Sequence, residues 1–332
     1  MKPLSKDLVD QILACTGACG IRDTQPVQTL WSGYGQIVRV NLILEDYHRH
    51  DGDTSLIVKD VQPPETLNHP RGWNTDASTQ RKLESYRVEA NWYRQYVESA
   101  RSLCAMPRLL GSYSSVEQTS LILEDLDRDY PQRHDRLSVE SCKPCIRWLA
   151  RFHGYHFQSS GEGLWHTGTY WYLKTRRDEW TAMAPGALKD AASALDARLE
   201  NCQFKTLVHG DAKVANVCFS QSGRDVAMVD FQYVGRGCGI RDVAYFLGSA
   251  LTETECENHG EELLDVYFSE LSSYIPEMLQ QPVEKEWRDL YATAWADFHR
   301  FLAGWMPGHT KIHGYTRAMT RKALAELALR TH

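Results

Sequence analysis

The sequence carries no surplus of positive charge: 37 Lys and Arg stand against 43 Asp and Glu, a formal net charge of −6. Nucleic-acid binding relies on clustered cations that neutralise phosphates, so no nucleic-acid partner is expected. Nor is there an apolar run long enough to cross a bilayer, so no membrane span is expected. The opening stretch MKPLSKDLVDQILACTGACGI is broken by polar residues every few positions and lacks the apolar core of a signal peptide, which makes a cytoplasmic location the expectation. Internal repeats and low-complexity segments are missing as well, which excludes repeat architectures.

Cysteine is present but unpatterned. Nine residues, an odd count without regular spacing, argue against a disulfide framework. Cys142 and Cys145 have CxxC spacing, but they fall within SVESCKPCIRWLARFHGYH, which reads as helix, and no second pair of metal-ligand spacing follows. They are expected as structural thiols and not as a redox or zinc site.

What is there is a soluble globular composition, 42% hydrophobic and 24% charged over 332 residues, with length enough for two domains or one domain split by a cleft. From Val27 to Val61 the pattern is strand-like, with two or three antiparallel strands in TLWSGYGQIVRVNLILE and TSLIVKDV. Residues 62–79, rich in Pro, Asn, Thr and Gly, read as an irregular loop. RKLESYRVEANWYRQYVESA then sets Leu83, Tyr86, Ala90, Tyr93 and Val97 at helical spacing, predicting one packed face. LLGSYSSVEQTSLILEDL reads as a β-hairpin, and from Ser138 onward the chain is mostly helical except for an island at Lys205 to Tyr233. A small β-rich lobe joined to a larger helical lobe is the expected α+β architecture.

The chemistry concentrates in LVHGDAKVANVCFSQSGRDVAMVDFQYVG. His209, Asp211, Lys213 and Asn216 share one tight loop between β-like runs, and Asp230 ends the apolar run AMVD. SQSGRD is a turn, so a hairpin between Val217 and Val229 brings Asn216 and Asp230 to one end as hard oxygen ligands suited to magnesium. Phosphoryl transfer asks for such ligands and for a carboxylate that orients an attacking hydroxyl. Each residue alone is common in turns, and it is their joint spacing that points to catalysis.

This island resembles the catalytic and metal-binding loops of the aminoglycoside phosphotransferase and choline kinase superfamily. DFQ at Asp230 to Gln232 and LILEDL at Leu121 to Leu126 resemble its ecdysteroid-kinase-like branch, and the likeness runs from about Trp31 to the final helices. The resemblance implies a protein-kinase-like bilobal fold, with an N-lobe over 1–126 and a C-lobe over 127–332, and ATP and Mg2+ in the cleft between them. It implies that Asp211 orients the hydroxyl of a small-molecule alcohol and that Asn216 and Asp230 hold magnesium. It further implies that Lys59, partnered by Glu89, holds the α- and β-phosphates, and that backbone groups at Glu124, Asp125 and Leu126 meet adenine. A lysine bracketed by apolar residues on a strand faces burial and needs a partner, unless it sits on an edge strand in water.

The loop WSGYGQIV, with Ser32, Gly33 and Gly35, reads either as a phosphate-contacting loop or as a plain hairpin turn. Two departures from the family pattern stand out. Lys213 occupies the position two after Asp211, where it can neutralise charge on the transferred phosphoryl group. The link YVGRGCGIRD to Asp242 is too short for a long activation loop, and Asp242 resembles the structural aspartate that braces the catalytic loop.

The helical lobe is dense in aromatics: Trp165, Tyr170, Trp171, Tyr172, Trp180, Trp287, Trp295 and Trp305. They suit a sterol-like or other hydrophobic alcohol, or a quaternary ammonium held by cation–π attraction. The stripe Tyr291, Trp295, Phe298 and Leu302 reads as core, and Asp297 and His299 as acceptor-facing or solvated. Rival readings are a choline- or aminoglycoside-type kinase specifically, a nucleotide-binding pseudokinase scaffold, and a protein kinase.

Overall fold

The computed structural model describes residues 2–30, 33–45, 54–63, 76–115 and 118–330. The chain begins with a helix, α1 (Lys6–Thr16), whose N-terminus is capped by the Ser5 hydroxyl. Strands β1 (Gly20–Thr29), β2 (Gly35–Ile43) and β3 (Ser55–Val61) follow, then α2 (Asp76–Gln95) and the short α3 (Val97–Ala100). The predicted hairpin appears as β4 (Leu109–Ser114) and β5 (Thr119–Glu124), and the five strands form one antiparallel sheet in the order β1-β2-β3-β5-β4. Pro26 lies beside a register shift in β1, an edge strand, where its missing N–H costs the ladder nothing.

The sheet's two faces follow from the strand period of two. Leu56 and Val58 of β3 join Val38, Val40, Leu42 and Ile122 against Leu8 and Ile12 of α1, a small apolar core. The alternate residues Ile57 and Lys59 point the other way, into the interlobe cleft. Sequence reading missed α1 because its few apolar residues look sparse until the sheet is there to receive them. It also started β1 too late, since most of that strand is exposed and shows little apolar alternation.

The helical part comprises α4 (Val139–Tyr155), α5 (Arg177–Ala182), α6 (Ala187–Asp190), α7 (Ala192–Glu200), α8 (Ile240–Ala250), α9 (Glu253–Ser272), α10 (Glu277–Trp305) and α11 (Gly314–Arg330). Helix α4 packs on α9, and α10 on α8 and α11, around Trp287, Trp295, Phe246 and Tyr267. A reciprocal capping box between Thr252 and Glu255 starts α9 and contributes about 1 kcal/mol. The predicted island holds β6 (Thr206–Val208), β7 (Val217–Phe219) and β8 (Val226–Met228), while β9 (Gly235–Gly237), which pairs with β6, lies just beyond the expected end.

Other expectations meet the structure unevenly. Tyr86, Ala90, Tyr93 and Val97 are buried as drawn, but Leu83 is 41% exposed, because burial along α2 begins only at Ser85. The loop expected over 62–79 ends earlier, since α2 starts at Asp76, and residues 64–75 within it lie outside the described residues. Cys142 and Cys145 are buried free thiols inside α4. Among the described residues no helix is long and apolar enough to cross a membrane.

Candidate active site

The loop between β6 and β7 is built around one buried carboxylate. Asp242, in the first turn of α8, accepts the backbone N–H of His209 at 2.5 Å and of Gly210 at 3.0 Å, and His153 Nε2 stands 3.1 Å from it. The loop's backbone donors are thus satisfied without a sheet partner. His209 has one consistent tautomer: the Asp211 N–H donates to Nδ1 at 3.3 Å, so Nε2 carries the proton and donates to the Val229 carbonyl at 3.1 Å. Burial lowers the His209 pKa and keeps the ring neutral. Gly210 has φ +79°, and a Cβ there would stand 2.1 Å from the Tyr233 carbonyl oxygen, so no other residue fits.

Asp211 emerges from this loop nearly buried, at 6% exposure. Its Oδ2 accepts from Lys213 Nζ at 2.8 Å and Asn216 Nδ2 at 3.3 Å, and its Oδ1 from the Tyr245 hydroxyl of α8 at 3.1 Å. Burial would lower the Lys213 pKa, but Asp211 and Asp230 hold it above the ordinary value. Tyr245 was not among the expected site residues, because nothing in its helical surroundings sets it apart from core.

The β7–β8 hairpin does what its turn predicted. Val217 pairs with Met228, and the Val229 N–H donates to the Asn216 carbonyl at 3.0 Å, so Asn216 and Asp230 leave the hairpin at the same end. Asp230 adopts φ +69°, a left-handed conformation that short polar side chains tolerate best among non-glycine residues. Phe231 after it is fully buried and stacks on Trp92 of α2, 4.9 Å between ring centroids. That contact locks α2, and with it Glu89, against the turn that carries Asp230.

Lys59 Nζ lies 2.7 and 2.9 Å from the two carboxylate oxygens of Glu89 and 3.1 Å from Asp230 Oδ1. It sits in a central strand at 4% exposure and not on an edge in water. Burial opposes its charge, and Asp230 and Glu89 together outweigh that and raise its pKa. Burial pushes Glu89 upward, against Lys59; the two short contacts decide the balance in favour of the ionised pair. Burial alone would also raise the Asp230 pKa, but Lys59, Lys213 and Lys82 hold it well below the usual carboxylate range. Gln232, which the sequence shows only as the last residue of the DFQ motif, donates to Asp230 Oδ1 at 2.6 Å and accepts from Lys82 Nζ at 2.8 Å.

These groups line one cavity of about 420 Å³ between sheet and helices, with Asp211, Lys213, Asn216, Asp230, Lys59 and Glu89 on its walls. Asp230 keeps a third of its side chain exposed towards it. The Asn216 amide nitrogen is committed to Asp211, which leaves its side-chain oxygen for a cation. Two hard oxygen donors facing this cavity fit magnesium, which retains water and phosphate ligands alongside few protein ones.

At the rim, the Glu124 N–H donates to the Arg108 carbonyl, and the Leu126 carbonyl accepts from Asp129 and Tyr130. Asp125 is tied to Arg39 at 2.5 Å and to Ser55 at 2.8 Å. Ser32 lies outside the described residues. The Gly33 N–H is engaged by the Leu30 carbonyl, and Gly35 is required because a Cβ there would stand 2.0 Å from the Asp60 carbonyl oxygen. Gly33 is favoured instead by its backbone, at φ +75°, since a Cβ there would meet nothing within 4 Å.

Along α10, Tyr291, Trp295, Phe298 and Leu302 are all buried core. Asp297 is neither acceptor-facing nor solvated: it is fully buried, bonded to Arg300 at 2.8 Å and to Trp171 Nε1 at 3.0 Å. His299 is held by Thr320 at 2.8 Å, and burial lowers its pKa to about 4.

Residues 42–280 match the phosphotransferase enzyme family. No curated protein matches the sequence. Among solved structures, a microcompartment-associated aminopropanol kinase is 17% identical, with 98% of this chain and 94% of that chain covered and a TM-score of 0.53. An amicoumacin kinase in complex with AMP-PNP, Ca2+ and Ami is 11% identical, covering 99% of this chain and 94% of that chain, with a TM-score of 0.51. The choline kinase of Streptococcus pneumoniae is 13% identical, covering 98% of both chains, with a TM-score of 0.50. At such identities these likenesses speak for a shared bilobal kinase-like fold.

Proposed function

The chain belongs to the phosphotransferase enzyme family, and from that premise we propose that it transfers the γ-phosphoryl group of ATP to the hydroxyl of a small-molecule alcohol. The observation that carries the reading is the convergence of Lys59, Asp211, Asn216 and Asp230 on one interlobe cavity.

In this reading residues 1–126 present the nucleotide and residues 127–332 the acceptor. Lys59, held by Glu89, meets the α- and β-phosphates, and the Leu126 N–H is the hinge donor to adenine, since the Glu124 N–H and Leu126 carbonyl are engaged within the chain. Magnesium, held by Asn216 and Asp230, supplies charge neutralisation of the phosphates. Asp211 accepts the hydroxyl proton on the lone pair of Oδ1 that Tyr245 leaves open. The alcohol oxygen forms a bond to the γ-phosphorus, the bond to the bridging oxygen breaks, and ADP leaves. Lys213 neutralises charge on the moving group. The DFQ motif supports placement in the ecdysteroid-kinase-like branch. The intact Lys59, Asp211, Asn216 and Asp230 set weighs against a scaffold that only binds nucleotide.

The test is ATP consumption over a panel of small alcohols by the wild type and Asp211→Asn. Expected is turnover that falls roughly 10²- to 10⁴-fold in the variant while nucleotide binding persists. Undiminished turnover in the variant would contradict the reading.

A further inference from the structure

Between α10 and α11, Lys311 brings its ammonium to 4.8 Å from the Tyr245 ring centroid and 5.6 Å from that of Phe298. Tyr245 is the residue whose hydroxyl holds Asp211. Lys311 Nζ makes no hydrogen bond or ion pair with any described residue. Burial, helped by Lys213 and only partly offset by Asp211, lowers its pKa to about 8. Neither Lys311 nor Tyr245 nor Phe298 lines the interlobe cavity, whereas Asp211 does, so they approach the aspartate from the helical side.

Other charged groups on that side already have partners. Arg176 lies over the Tyr170 and Phe301 rings, at 5.8 and 5.2 Å, and pairs with Glu179 at 2.9 Å. Glu200 is taken by Thr167 at 2.9 Å and by Tyr172, and Asp297 by Arg300. Tyr170 and Tyr245 are 5.7 Å apart, so these rings form one aromatic floor with the protein's own cations over its faces. A quaternary ammonium or an amine would find those faces occupied and Glu179, Glu200 and Asp297 already engaged. An anion would find a half-desolvated ammonium lacking a partner.

Resting on the phosphotransferase reading, we propose that the acceptor is a hydroxy acid, its carboxylate paired with Lys311 while its hydroxyl meets Asp211. Lys311 thus selects against the cationic alcohols that an aromatic-rich lobe would otherwise suit.

The experiment compares wild type, Lys311→Met and Lys311→Arg, supplied with ATP and magnesium, on hydroxy acids of rising length. The matching amides, amino alcohols and phosphate monoesters are assayed beside them. The expected result is a preference for acid over amide of roughly 10- to 100-fold in kcat/KM. Lys311→Met loses that preference through KM, and Lys311→Arg retains it. Equal use of acid and amide, preference for amino alcohols or phosphate monoesters, or a preference indifferent to Lys311→Met would each overturn the proposal. ATP hydrolysis with water alone, abolished by Asp211→Asn, reports the phosphotransferase reading separately. A protein that consumes no ATP, yet gains thermal stability from hydroxy acids only when Lys311 is present, would sink that reading and leave the carboxylate site standing.

Discussion

The Tyr245 hydroxyl donates to Oδ1 of Asp211 across 3.1 Å, tying the first turns of α8 to the loop that α8 also braces through Asp242. With Lys213 and Asn216 on Oδ2, the carboxylate is held from both ends and cannot rotate away from the cavity. Tyr245→Phe keeps the ring beneath Lys311 and removes only the donor. Steady-state kinetics should show kcat lowered roughly ten-fold with nucleotide affinity intact. An unchanged kcat would remove the hydroxyl from the positioning of Asp211.

Lys59 and Glu89 are buried together, so deleting one strands the other. Lys59→Met should destabilise the protein by about 3 kcal/mol, since an unpaired buried carboxylate remains. Adding Glu89→Leu should recover much of that loss, because the charge is then gone. Urea unfolding of the two variants checks this; a double variant no more stable than the single one would mean that the pair is not the source of the cost.

Asp230→Asn should uncouple nucleotide binding from magnesium by roughly ten-fold while preserving the fold, because asparagine also tolerates φ +69°. Asp230→Ala should add backbone strain and lose stability as well. Magnesium titrations of nucleotide affinity, with melting temperatures alongside, separate the two effects. A magnesium dependence as steep as the wild type's in Asp230→Asn would exclude the residue as a ligand.

His156 is packed against Trp92 and Phe152, and burial, aided by His153, lowers its pKa from 6.5 to about 3. The unfolded chain therefore binds a proton below pH 6.5 that the folded chain refuses until about pH 3. Stability from this group is full above pH 6.5 and falls with pH across that window, by up to about 1.4 kcal/mol per unit. His156→Phe keeps the ring packing and should flatten this part of the acid profile, read by denaturant melts between pH 4 and 7. An unchanged slope would place the acid sensitivity elsewhere.

Much of the candidate site was legible in the sequence because its parts are close along the chain. Asp211, Lys213 and Asn216 share one loop, and the SQSGRD turn alone aligns Asn216 with Asp230. Lys59 was legible from its apolar bracket, and Glu89 came through the family resemblance. Helix α1, by contrast, carries too few apolar residues to announce itself, and Leu83 shows that helical spacing alone does not say where burial along α2 begins. Asp297 looked available because no local feature reveals that Arg300 and Trp171 close over it.

By itself the sequence determined the strand-rich first part and the helical second part, the hairpin that joins two oxygen donors, and the family to which the chemistry belongs, since each rests on spacing within a few tens of residues. Only the tertiary structure decided that Tyr245 holds Asp211, that Gln232 bridges Lys82 and Asp230, and that Lys311 stands over the ring of the tyrosine bonded to Asp211. Those groups come from elements far apart along the chain, and their meeting depends on how α2, α8 and the segment after α10 pack, which no local periodicity encodes.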